Sequence, residues 1–261
     1  MRADGGLFLG EDGVFSFEPG RFQTYPDRVF DLLTIDELRM TFVASERGLE
    51  VIRHDDPTRT PTLLDSIAAR HLARDRRGRL IVDDGHIVLR YDTSTGAPVQ
   101  LFDVIPRTSP AAVTQGFSGG GEITSLLVAS DDTIWVTAGS SLFRYKDGRR
   151  WEFSFFLDAD AFPSRTEMVS SVLETNDHRI WVVCSGEGHL NFNRAILEGG
   201  LLEWTGERFR RLERPVGQPW FFSSYTPVDD GIAIVGTNEG FARHDHTGIR
   251  SYTSLEDASY R

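Results

Sequence analysis

The feature that most restricts this chain is a phrase that returns. Asp131-Asp132-Thr133-Ile134-Trp135-Val136 comes back as Asp177-His178-Arg179-Ile180-Trp181-Val182. Fainter copies run from Asp75 to Val82 and from Asp229 to Ile234. Each copy is a polar turn that leads into an apolar, β-type run. With Trp135 as marker, the equivalents are Phe8, Phe42, Ile81, Trp181 and Ala233, spaced 34 to 54 residues apart with a mean of 45. A strand-rich unit of that length matches one four-stranded blade of a propeller.

Further elements recur within the units. Gly48 to Ile52, Ser141 to Tyr145 and Gly240 to His244 follow the marker at similar offsets. Hairpin chemistry comes next, as in Tyr91 to Gly96, Tyr145-Lys146-Asp147-Gly148 and His244 to Gly248, because glycine takes positive φ without steric cost. A short aromatic strand closes the unit, as in Trp151-Glu152-Phe153 and Ile249 to Tyr252. The order within a unit is therefore strand, turn, strand, strand, hairpin, strand. Long helical periodicity is missing, and Ile67 to Leu72 suits an innermost strand better than a helical turn. The expected fold is all-β, a propeller of about six four-stranded blades or a fragment of a longer array. The expected domain is one propeller over 1–261, with units at 1–30, 31–64, 65–105, 121–157, 167–213 and 219–255. Residues 256–261 start or close a further blade. The first unit opens at its second strand, which fits either ring closure by the C-terminal strand or a cut from a longer array, and the abrupt stop at Arg261 favours a piece of a longer protein.

Composition narrows the function. A net charge of −11 argues against a nucleic-acid partner, since phosphate binding needs a basic face. Lys146 is the sole lysine among 28 basic residues, a bias attributed to genome composition. Cys184 is the sole cysteine, so an internal disulfide and a cysteine-based metal site are excluded, and it reads as a buried small side chain. No membrane-spanning run and no signal-peptide core occur in the chain. The expected location is periplasmic for part of a sensor kinase, and cytoplasmic if the chain is complete.

The phrase of aspartate, turn, apolar-Trp-apolar, then Gly-Leu, then Arg-Tyr resembles the two-component regulator propeller repeat. Gly236-Thr237-Asn238-Glu239-Gly240-Phe241 fits the Gly-Thr-x-x-Gly-Leu phrase of that family. The resemblance covers nearly the whole chain. It is strong around Trp135 and Trp181 and eroded around Phe42 and Ile81. It implies the sensor module of a bacterial hybrid two-component system, whose attached signalling domains lie outside this sequence.

Loop length points to a binding face. First-to-second turns and third-to-fourth hairpins share one end of a blade and are short here. Second-to-third loops and the links between blades share the other end. That end carries 103–121, 158–166, 186–199 and 213–218. Long loops on a rigid scaffold are where binding residues gather, so the ligand or partner is expected there, near the central channel. The candidate ligand-binding residues are Arg107, Glu187, His189, Asn193, Arg194, Trp220 and Tyr225. Arg194 and the Asn amides suit an anion or a sugar, and Trp220 suits stacking. Plainer readings compete: a solvated loop for 186–199, and packing between blades for Trp220. His244-Asp245-His246 is read as a hairpin, Asp158-Ala159-Asp160 lacks the spacing of a calcium loop, and Gly119-Gly120-Gly121 lacks the lysine of a P-loop. No catalytic set, cofactor or metal is expected.

Three functions follow in order. The first is a sensor or recognition module for a small molecule or glycan, coupled to attached signalling domains. The second is a protein-interaction scaffold, with the acidic surface suited to a basic partner. The third is a propeller lyase, with His71, His189 and Glu187 as the available acid–base or metal residues.

Overall fold

The structure, a computed structural model, describes residues 6–10, 13–18, 21–24, 28–56, 60–92, 97–104, 122–139, 141–154, 168–175, 177–185, 200–211, 222–229, 232–237, 240–245 and 248–252. The chain divides into two compact units, Met1–Asp103 and Val104–Arg261.

The first unit holds three antiparallel sheets. The first is β1 (Gly6–Gly10), β2 (Gly13–Glu18) and β3 (Arg21–Thr24). The second is β4 (Val29–Ile35), β5 (Met40–Ser45), β6 (Gly48–Arg53) and β7 (Thr62–Asp65). The third is β8 (His71–Arg74), β9 (Leu80–Asp83), β10 (Ile87–Tyr91) and β11 (Pro98–Asp103). The second unit holds three more. They are β12 (Ile123–Val128) to β13 (Ile134–Ala138), β14 (Ser141–Lys146) and β15 (Arg149–Ser154); β16 (Met168–Glu174) to β17 (Ile180–Ser185), β18 (Gly200–Trp204) and β19 (Phe209–Arg211); and β20 (Phe222–Asp229) to β21 (Ile232–Thr237), β22 (Gly240–Asp245) and β23 (Gly248–Tyr252). Every sheet is a meander in which chain neighbours pair. One turn of 3-10 helix, Asp36–Leu38, is the helical element among the described residues.

The marker residues all fall on one strand type. Phe8 lies in β1, Phe42 in β5, Ile81 in β9, Trp135 in β13, Trp181 in β17 and Ala233 in β21. β5, β9, β13, β17 and β21 are the second strands of their sheets, and β1 is the first of three described strands in its own. The first sheet thus begins, among the described residues, at its second-strand position. In the stretch from Ile67 to Leu72, only His71 and Leu72 are in a strand.

The repeated turn has one geometry in four copies. In 36–40, 75–79, 129–133 and 175–179, the fourth residue donates its N–H to the carbonyl of the first: Arg39 to Asp36, Gly78 to Asp75, Asp132 to Ala129 and His178 to Thr175, at 2.8–3.0 Å. That fourth residue has φ of 53° in Arg39, 80° in Gly78, 63° in Asp132 and 62° in His178. A turn followed by a left-handed residue joins antiparallel strands while keeping their twist. The short hairpin at Asp147-Gly148 has positive φ at both residues, the requirement of a type I′ turn.

The cores lie between adjacent sheets. In the first unit Phe42, Ala44, Leu49 and Val51 pack against Ala69, Leu72, Leu80, Val82 and Tyr91 of the following sheet. Val43 and Ile52 point to the opposite face and pack with Val29. In the second unit Trp135 and Leu142 pack with Val182, Leu202 and Phe209. Trp204 meets Trp135 edge-on at 5.7 Å. A second strand is therefore covered on both sides, which explains why it reads as a continuous apolar run and not as an alternating one. Cys184 is buried and reduced in β17.

Candidate functional site

First strands of neighbouring sheets run side by side, and polar groups tie them. Asp31 of β4 accepts the Leu72 N–H of β8 on Oδ2 and its neighbour Leu32 N–H on Oδ1, each at 2.8 Å. In the second unit Ser125 Oγ accepts the Val172 N–H at 3.3 Å, and Thr124 Oγ1 donates to the Val169 carbonyl at 3.3 Å. A register shift explains the reach. One residue bulges near the start of β4, β12, β16 and β20, and the residue after it is re-aimed. Asp31, Ser125 and Ser171 each pair with the residue two places past their marker, namely Ala44, Thr137 and Val183. His71 takes this place in β8, opposite Asp83, and Tyr225 takes it in β20, opposite Val235.

The third sheet turns this joint into a charged cluster. His71 is the first residue of β8 and Asp83 the last of β9, so they sit where 66–70 arrives and the turn 84–86 leaves. This is the blade end expected to carry the long segments. His71 Nδ1 and Asp83 Oδ2 are 2.8 Å apart, and the Asp83 side chain is wholly buried. Asp83 Oδ1 accepts the Gly85 N–H at 2.9 Å, and its carbonyl accepts the Arg70 N–H at 2.8 Å. With Nδ1–H donated to Asp83, Nε2 is the edge left open, and it has no partner among the described residues. The imidazole remains 29 % exposed.

Electrostatics favour the charged imidazole. Burial alone would lower the His71 pKa, and Arg70 adds to that. The hydrogen bond to Asp83 and the charges of Asp83 and Asp31 outweigh both, so the pKa is raised. Asp31 is also raised, chiefly by burial, against the two N–H donors and the His71 charge. Beside the cluster, Phe30 carries two guanidinium groups over its ring: Arg28 at 5.3 Å and Arg70 at 5.9 Å from the centroid. Together these groups form a half-open, cation-rich edge backed by the buried Asp83 and the half-buried Asp31. Such an edge can hold an acceptor or an anion, or exchange a proton at Nε2.

The residues proposed from sequence are not brought together among the described residues. Arg107, Glu187, His189, Asn193, Arg194 and Trp220 lie outside them. Tyr225 lies in β20, with its side chain outside the described set. The sequence reading named His71 but missed Asp31, Asp83, Arg28, Phe30 and Arg70. One signal for the His–Asp pair was available: His71 precedes the turn at Asp75 by four residues, and Asp83 follows its end at Arg79 by four. A symmetric hairpin about that turn sets them opposite each other. Among the described residues no cluster of His, Cys, Asp and Glu fits a metal ion, and no helix is long and apolar enough to cross a membrane.

No known family profile matches this sequence, and no curated protein matches it either. Solved structures do. The extracellular domain of BT4673 from B. thetaiotaomicron, described once as a one-component and once as a hybrid two-component system, is similar with a TM-score of 0.61 at 18 % identity, over 94 % of this chain and 31 % of that one. Virginiamycin B lyase from Staphylococcus aureus gives 0.58 at 12 % identity, over 97 % and 86 %. YCF48 bound to the D1 peptide gives 0.62 at 10 % identity, over 92 % and 74 %. The chain spans about a third of the length of the BT4673 domain. The antiparallel meanders of the described residues, the cores between neighbouring sheets within each unit and these likenesses make the fold an all-β propeller.

Proposed function

We propose that the chain is a recognition module of a bacterial two-component signalling system, of the two-component regulator propeller family, and that it binds a small molecule or glycan at the long-loop end. The observation that carries this reading is the likeness to the extracellular domain of a hybrid two-component system over 94 % of the chain, joined to the repeat phrase around Trp135 and Trp181. The His71 edge gives the binding end a chemically defined floor in the first unit. Attached signalling segments would receive the event.

Thermal-shift screening of the chain against glycans and small metabolites tests this. A ligand that binds only the folded state raises Tm with concentration. Substitutions in 103–121, 158–166, 186–199 and 213–218 are expected to reduce the shift, and substitutions in the opposite hairpins are not. A response confined to the hairpins would refute the placement. A second reading, a protein-interaction scaffold, draws on the likeness to a peptide-bound propeller and on the acidic charge. Capture of one stoichiometric protein, with no small ligand found, would favour it.

A further inference from the structure

Charged groups gather at the start of β4 and β8. The carboxylates there are held by backbone N–H groups, Asp83 buried and Asp31 and Asp84 half-buried. Asp31 is held by the Leu32 and Leu72 N–H groups, Asp83 by Gly85 N–H and His71, and Asp84 by the His86 and Ile87 N–H groups at 2.9 and 2.8 Å. Arg28 there is exposed, and the imidazole of His71 stays partly exposed. The contact of Arg28 is the face of Phe30, with no carboxylate paired to it among the described residues. Arg70 approaches the same ring and is adjacent in sequence to His71. His71 presents its Nε2 edge, with Nδ1 fixed on Asp83. Glu46 is exposed and joined to this end by its N–H on the Arg28 carbonyl at 3.0 Å. Among the described residues this end thus presents Arg28 and His71 beside Glu46, in a chain of net charge −11.

We propose that this edge binds the carboxylate of an acidic ligand, with Arg28 and His71 Nε2–H as its donors and Phe30 and Arg70 framing it. Guanidinium groups match carboxylate geometry, and charge-assisted bonds are the stronger class. A protonated His71 donates from both ring nitrogens, one to Asp83 and one to the ligand. The inference rests on the recognition reading and specifies the ligand chemistry that reading leaves open.

The test is calorimetric titration of the whole chain with galacturonate, its short oligomers and citrate, against galactose and its neutral oligomers. The expected result is binding of at least one acidic probe and not of its neutral counterpart. Arg28→Gln should weaken that binding by about tenfold, and Arg28→Glu should abolish it. Arg28 is exposed, so both variants should keep the wild-type Tm. Glu46→Gln should strengthen binding by removing a like charge. Raising the pH above the His71 titration should weaken binding in the wild type and not in His71→Gln; the charged groups facing that imidazole are Asp31, Asp83 and Arg70. Neutral sugars bound as tightly as acidic ones, with Arg28→Glu inert, would overturn this inference and leave the recognition reading standing. Acidic probes that fail to bind at low ionic strength would overturn it as well. Silence from every small molecule, with a protein captured instead, would remove both.

Discussion

The joint between the second and third sheets and the joint between the fourth and fifth are built on one frame but with different chemistry. In both, a residue re-aimed by a bulge reaches the backbone of the next first strand. The second unit uses neutral hydroxyls for this: Ser125 and Thr124, with Thr124 also 2.8 Å from the Thr137 hydroxyl. Its charged contacts lie at the other end of the strands, where Glu174 takes the N–H and hydroxyl of Ser130 and His178 approaches both side chains. The first unit places Asp31, His71 and Asp83 in the joint itself. A hydroxyl pair satisfies backbone groups and does nothing else. An ionisable set that leaves one nitrogen open costs desolvation and offers a contact to a ligand. The difference sets a neutral joint beside the candidate site at equivalent positions.

The largest effect should test whether the frame is shared at all. Phe42 and Trp135 hold the same place in their sheets and are 3 % and 1 % exposed. Phe42→Ala and Trp135→Ala are each expected to cost about 3–5 kcal/mol, read from urea unfolding of the whole chain. A loss in one unit with near-neutrality in the other would show that the two cores are not equivalent.

The next effect addresses the joints. Asp31→Ala strands the Leu72 N–H and removes an ionised acceptor, so a loss of about 1.5–3 kcal/mol is expected. Ser125→Ala removes a longer, neutral bond and should cost about 0.5–1.5 kcal/mol. Equal losses would mean that the charge at Asp31 carries no extra weight.

Acidity sharpens the contrast further. The folded His71 pKa lies above the ordinary 6.5. Its contribution to stability is therefore complete below that value and fades as pH rises through the folded pKa. Wild type should exceed His71→Gln by on the order of 1 kcal/mol at mildly acidic pH, and the gap should close toward alkaline pH. Unfolding series at several pH values, with Ser125→Ala as a flat control, check this. A gap that widens with pH would reverse the assignment.

The second strands and their preceding turns were readable in the sequence, because a left-handed turn residue and a doubly buried strand impose a local pattern from Asp131 to Val136 and again from Asp177 to Val182. The four-strand order was readable for the same reason. The site was not. The partner of Asp31 is Leu72, forty-one residues away on another sheet, and no local pattern announces a bulge at Phe30. Long polar loops drew the search toward Glu187, His189 and Arg194, while a short β8 with no unusual composition held the histidine that the structure places beside two carboxylates. Repeat alignment would have helped more than loop length. It sets His71, Asp31, Ser125, Ser171 and Tyr225 in one column, where a charged residue among hydroxyls is conspicuous.

The smallest effect returns to the turn that both units share. Gly78 in the first unit and Asp132 in the second occupy the same left-handed position, at φ of 80° and 63°. Glycine meets no steric cost there, while a side chain does. Asp132→Gly should therefore leave stability unchanged or raise it by a few tenths of a kcal/mol, because the relief is partly offset by the greater freedom of glycine when unfolded. Gly78→Ala should lower stability by about 1 kcal/mol. A Cβ there would lie 3.3 Å from the Arg74 guanidinium, a flexible group that can move, so conformation and not crowding sets the cost. If Gly78→Ala were neutral while Asp132→Gly was damaging, the turns would be specified by side-chain contacts, and the equivalence that orders the six sheets would fail at its most local level.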